Sequence, residues 1–149
     1  MTDPNDILAR FERYTGLLRE ANHLNKETIF RVLADAKIDT VTVTFDGASD
    51  DGQIQDVNAF ALGGSPDATP EAKVEFRQAD MGAVDLRTVR LPLIEAIENL
   101  CYDCLTERHD GWEINDGAFG EFTFHIAERR LSLAFNARFS DFVTSNDSF

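Results

Sequence analysis

Asp39-Thr40-Val41-Thr42-Val43-Thr44-Phe45 decides the fold. Val41, Val43 and Phe45 fall on one side of an extended chain and Thr40, Thr42 and Thr44 on the other, the period of two that marks a strand with one face buried. The same alternation returns near the end, where Phe122, Phe124 and Ile126 alternate with Glu121, Thr123 and His125, and Leu131, Leu133 and Phe135 alternate with Ser132, Ala134 and Asn136. These two runs predict a closing hairpin over 119–137. Two half-buried antiparallel regions need something apolar laid over them, and the rest of the chain supplies it.

Upstream of Asp39 the period is helical. Ile7, Phe11, Tyr14 and Leu18 share a face between Arg10, Arg13 and Arg19, which predicts an amphipathic helix from Pro4 to about Leu18. Asn22-His23-Leu24 reads as a connection and Asn25 as the N-cap of a second helix carrying Ile29, Val32, Leu33 and Ala36, so a helical hairpin is expected over 1–37. Downstream, Asp46-Gly47-Ala48-Ser49-Asp50-Asp51-Gly52 is a turn leading to a second strand, Gln53 to Leu62, whose imperfect alternation suggests a bulge. Val74–Phe76 and Thr88–Leu91 give two further short strands, completing a strand region over 39–91. Pro92 suits the first turn of a helix over 92–109, in which Leu93, Ile94, Ile97, Leu100, Cys101, Cys104 and Leu105 form a broad apolar face. The polar tail, 138–149, is expected to fray.

The expectation is one α+β domain over 1–149, in the order helix, helix, four strands, helix, two strands. An antiparallel sheet of about four to six strands should carry the helices on one face. A chain of 149 residues with 43% apolar residues and twelve phenylalanines is long enough to bury such a core.

Charge narrows function. The formal net charge is −13, which opposes sequence-independent binding to phosphate backbones and makes direct contact with nucleic acid a poor expectation. The acidity is patterned: residues 39–71 hold seven acidic and no basic residues, residues 91–121 hold eight and one, and the remainder carries a net charge of +1. Such patterning reads either as solvation or as an acidic face for a protein with a basic groove. No apolar run has membrane-spanning length, and Met1-Thr2-Asp3-Pro4-Asn5-Asp6 lacks the regions of a signal peptide, so a cytoplasmic location is expected.

Catalytic motifs are missing from the sequence. His23, His109 and His125 sit in no familiar setting, and there is no nucleophile elbow, phosphate loop, dinucleotide fingerprint or zinc-protease helix. Cys101 and Cys104 form a Cys-x-x-Cys late in a helix beside Asp103, away from the positive environment that activates a thiolate, and are expected to be reduced core residues. The acidic Gly-rich loops offer oxygens to a hard cation, yet Ile114 lies two before Asp116 and no glutamate closes a loop opened by Asp46, so no metal and no cofactor are expected. A non-enzymatic module follows, with Asp46, Asp50, Asp51, Trp112, Glu113, Asp116 and Glu121 as its partner-binding residues and Trp112 as apolar anchor. The alternatives are a divalent-metal-binding domain or metal-dependent enzyme built on those loops, and a structural accessory subunit.

Phe45-Asp46-Gly47, Asp51-Gly52-Gln53-Ile54, Gly111-Trp112-Glu113-Ile114-Asn115-Asp116-Gly117 and Gly120-Glu121-Phe122 resemble an uncharacterised family of small bacterial proteins common on plasmids and mobile elements. The resemblance covers Ile29 to Phe135. It implies no established activity, but its mobile-element setting implies a protein that blocks or modulates a nucleic-acid-processing system by presenting carboxylates where a basic groove expects phosphates.

Overall fold

The computed structural model describes residues 4–48, 51–110, 112, 117–138 and 143–149. In chain order these form α1 (Pro4–Asp35), β1 (Ile38–Ala48), β2 (Asp51–Ala61), β3 (Pro66–Asp67), β4 (Lys73–Gln78), β5 (Arg87–Pro92), α2 (Leu93–His109), β6 (Ala118–His125), β7 (Arg130–Ala137) and β8 (Val143–Ser148). Six antiparallel strands make one sheet in the order β3-β2-β1-β6-β7-β8, and β4 and β5 pair as a separate hairpin. The architecture is the expected α+β arrangement.

The alternating residues do what their period requires. Val41, Val43 and Phe45 of β1 are buried with Ala59 of β2, Phe122 and Phe124 of β6, and Leu131, Leu133 and Phe135 of β7. The apolar face of α2 (Ala96, Ile97, Leu100, Cys101, Cys104, Leu105) and Ile29, Phe30 and Leu33 of α1 join the same cluster. Phe30 meets Phe124 ring to ring at 5.9 Å. Burying side chains of this size contributes roughly 1.5–3 kcal/mol each. The expected bulge is present: Thr44 pairs with Asp56 and Phe45 with Ile54, so β2 carries one extra residue there. The Ile54 amide donates instead to the Tyr102 hydroxyl at 2.8 Å, which ties the bulge to α2.

Two expectations fail. The helical hairpin is a single helix of 32 residues, about 48 Å long. Asn22 and Asn25 do not interrupt it, because both are buried and bonded to other elements. Asn25 Nδ2 donates to the Arg77 carbonyl at 2.9 Å, and the Arg77 amide donates to Asn25 Oδ1 at 2.8 Å, so the side-chain amide pairs with β4 as a neighbouring strand would. His23, read as a loop residue, lies within the helix and is exposed. The helix ends at Asp35, and two residues on, Lys37 turns left-handed at φ 61°.

The second failure is the tail. Val143–Ser148 forms β8 on the edge of the sheet, paired with β7. Its own sequence is too polar to hold it, and the fixings come from elsewhere. His109 Nε2 lies 2.7 Å from Asp147 Oδ2, and its ring stacks on Phe135 at 3.8 Å. Lys26 Nζ donates to the Phe149 carbonyl at 3.0 Å, and the Arg108 guanidinium lies 4.4 Å over the Phe149 ring.

Candidate functional site

The described flanks of the two acidic motifs lie at one end of the sheet. β1 and β6 run antiparallel with Asp46 opposite Phe119 and Thr44 opposite Glu121, so both carboxylates emerge on the face that the helices leave free. Arg138 closes this corner. Its Nη1 donates to Asp46 Oδ1 at 2.8 Å and to the Gly47 carbonyl at 3.0 Å, its amide donates to the Gly117 carbonyl at 2.9 Å, and its guanidinium lies 4.8 Å over the Phe119 ring. The hydrogen bond from Arg138 holds the Asp46 carboxyl below the usual carboxylate range. Asp46 is thus half-engaged within the fold, whereas Glu121 is exposed.

Gly120 explains part of the motif in purely steric terms. A β-carbon there would lie 2.1 Å from the Ala134 carbonyl oxygen and 2.9 Å from the Phe45 ring. Glycine is required because the Ala134 carbonyl and, behind it, the Phe45 ring occupy the space that a side chain would take. Gly117 enters β6 at φ 76°, a left-handed conformation that glycine adopts freely.

Two central rows of the free face are polar apart from Ala134. Across one row run Asp56, Thr44, Glu121, Ala134 and Asn146 from β2 to β8, and Asn58, Thr42, Thr123, Ser132 and Ser148 run beside it. Asp56, Asn58, Glu121, Ala134, Asn146 and Ser148 are exposed. Thr44 Oγ1, between Asp56 and Glu121, is buried with no hydrogen-bond partner among the described residues. Asp56 was missed as a site residue because only the strand register places it across from Glu121.

Trp112 lies on the other side of the sheet. Its ring meets Phe45 edge-on at 5.3 Å and stacks with Tyr102 of α2 at 6.5 Å, closing the core while remaining half-buried. The structure therefore brings Asp46 and Glu121 onto one face and sets Trp112 on the helix side. Asp50, Glu113, Asp116 and the side chain of Asp51 lie outside the described residues; the Asp51 backbone pairs with Ala48.

The seam between α1 and α2 holds the other polar groups. Cys101 and Cys104 are buried free thiols, and burial pushes both pKa values far above the ordinary thiol range. Burial likewise raises the Asp103 carboxyl to about 7, and the nearby Tyr14 hydroxyl is raised by its own burial and by Asp103. His125 bonds Ser132 Oγ at 3.1 Å. Among the described residues no three His, Cys, Asp or Glu gather as a metal site, and no helix is long and apolar enough to cross a membrane.

A family model described as "Family of unknown function (DUF6878)" matches residues 21–149. The match takes in β8, beyond the Phe135 boundary of the sequence resemblance, and begins within α1. No curated protein and no solved structure matches the chain.

Proposed function

The chain belongs to this family of unknown function, and from its surface we propose that it is a non-catalytic acidic module that binds a protein with a basic groove through the free face of the sheet. The observation that carries this reading is the row in which exposed Asp56 and Glu121 stand on either side of Thr44, two strands apart and so about 10 Å from one another. Folding supplies no reason to concentrate charge there, since the core lies on the opposite face. A basic side chain entering between the carboxylates would meet both of them. The expected partner-binding residues Asp50, Asp51, Glu113 and Asp116 would add to this negative charge, whereas Asp46 is paired with Arg138.

Carboxylates so displayed suit a groove that otherwise takes phosphates, and a role as cytoplasmic inhibitor or modulator of a nucleic-acid-binding complex in a bacterial mobile-element setting is the form we favour. Contacts of this kind weaken as salt shortens the Debye length, which is about 10 Å at 0.1 M. The test is capture of partners from a bacterial lysate by the wild-type chain and by Asp56→Lys/Glu121→Lys, at low and at moderate salt. The expected result is a captured basic protein that is lost in the double variant and on raising the salt. Equal capture by both chains, or capture indifferent to salt, returns the charge to a solubility role.

A further inference from the structure

Residues 4–13, the start of α1, are all exposed. A stretch of helix without tertiary contacts is marginal in water, so what its apolar side chains face matters. Ile7, Phe11 and Tyr14 recur four and three residues apart and lead into Leu18, Ala21 and Asn25, which are buried against the rest of the molecule. The stripe that docks α1 therefore runs on for about three turns past the surface it docks on. Ile7, Leu8 and Phe11 are left 57%, 56% and 52% exposed. Further apolar surface stands at the foot of this arm. Met81 and Val84, in the connection between β4 and β5, are exposed, and the charge of Asp80 beside Met81 acts on the Tyr14 hydroxyl. Among the described residues, five of the seven exposed large apolar side chains thus belong to the arm or its foot, a concentration that marks an interface and not scattered surface.

The charges on the arm say what covers it. Asp6 and Arg10 flank the apolar stripe on one side, and neither is ion-paired among the described residues. Laid antiparallel against a second copy, the stripe sets Ile7 against Phe11 of that copy and brings Arg10 within reach of its Asp6, and the two-fold repeats both contacts. A parallel pairing would instead set Asp6 beside Asp6 and Arg10 beside Arg10. It would also crowd two acidic chains, each of net charge −13, at the same end of the helix pair. The same net charge opposes docking of the arm on an anionic membrane surface, the other cover open to an amphipathic helix.

We propose that the exposed start of α1 is a self-association surface, on which two copies of this chain pair antiparallel through Ile7, Leu8 and Phe11. The overlap is short, at the small end of specific interfaces, so exchange between monomer and dimer at micromolar concentrations is expected. The free face of the sheet lies away from the helices and stays open in both copies, and the proposal does not depend on what that face binds. The test is sedimentation velocity of the full chain from about 1 to about 200 µM, a range that brackets such an affinity. A reversible monomer–dimer equilibrium is expected. Phe11→Asp, a change at an exposed position, should weaken it at least about tenfold and leave the melting temperature of the dilute chain unaltered. Arg10→Glu alone and Asp6→Arg alone should each weaken it about fivefold, whereas an equimolar mixture of those two variants should dimerise as tightly as the wild type. A chain that stays monomeric throughout, whether or not it binds phosphatidylserine vesicles, would overturn the proposal, as would a dimer indifferent to Phe11→Asp. A mixture that binds more tightly than the wild type would overturn the antiparallel arrangement.

Discussion

The sheet corner around Arg138 and the seam between α1 and α2 both gather polar side chains, and they treat them in opposite ways. At the corner Asp46 and Arg138 remain partly in water, so their ion pair fixes geometry more than it stabilises the fold. At the seam Asn22 and Asp103, and beside it Asn25 against β4, are withdrawn from solvent, where each unsatisfied or charged group is expensive. The conspicuous motif residues thus sit where polarity is cheap, and the inconspicuous ones sit where it sets stability. Residue type alone does not separate the two cases; exposure does.

The corner can be broken most severely at its glycine. Gly120→Ala should cost about 3 kcal/mol or more, because the nearest obstruction is the Ala134 backbone oxygen, which cannot swing away as a side-chain end could. Urea denaturation of the variant checks this. A loss below about 1 kcal/mol would mean that Gly120 is not held against β7 as described.

The buried polar side of α1 should respond next to Asn25→Ala, which deletes one side chain and orphans both the amide and the carbonyl of Arg77. We expect a loss of about 2 kcal/mol, with faster hydrogen exchange concentrated in β4. Unchanged protection of the Arg77 amide would show that Asn25 does not pair with the strand.

Asp103 sharpens the contrast through pH. Its folded pKa of about 7 lies above the usual carboxylate value of 3.8, so the folded state holds the proton more tightly than the unfolded one. Stability from this group is full below about pH 4, falls as pH rises towards 7, and is level above it. Asp103→Asn should therefore stabilise the protein at pH 8 by on the order of 2 kcal/mol and do little at pH 4. A variant with the same stability difference at both pH values would place Asp103 in water. Asp46 has the opposite sign: its lowered pKa gives a small stabilisation that is lost as pH falls through the acid range.

Much of the fold was legible because its signals are local. β1, the β6–β7 hairpin and α2 each announce themselves within a few consecutive residues, and the bulge in β2 shows as a lapse in alternation. Asn22 and Asn25 misled because asparagine usually bonds its own backbone and so marks caps and turns. Here each side chain bonds a distant element instead, and the helix continues through them. The polar composition of 143–148 misled for a related reason: an edge strand can be held by its neighbours without contributing apolar side chains of its own. Asp46, Gly120 and Glu121 stood out as one motif, whereas the structure gives them three conditions: an ion-paired carboxylate, a steric gap and an exposed charge.

The sequence by itself determined the α+β class, the inward face of each central strand, the buried thiols of α2 and the segments in which negative charge collects. All of these follow from periodicity or composition over neighbouring residues, which the chain carries wherever it goes. Only the tertiary structure decided that α1 is continuous, that β8 completes the sheet, and that Asp56 joins Glu121. Those outcomes depend on where a polar group finds its partner, and here the partners of Asn25, Asp46 and Lys26 lie 52, 92 and 123 residues away along the chain.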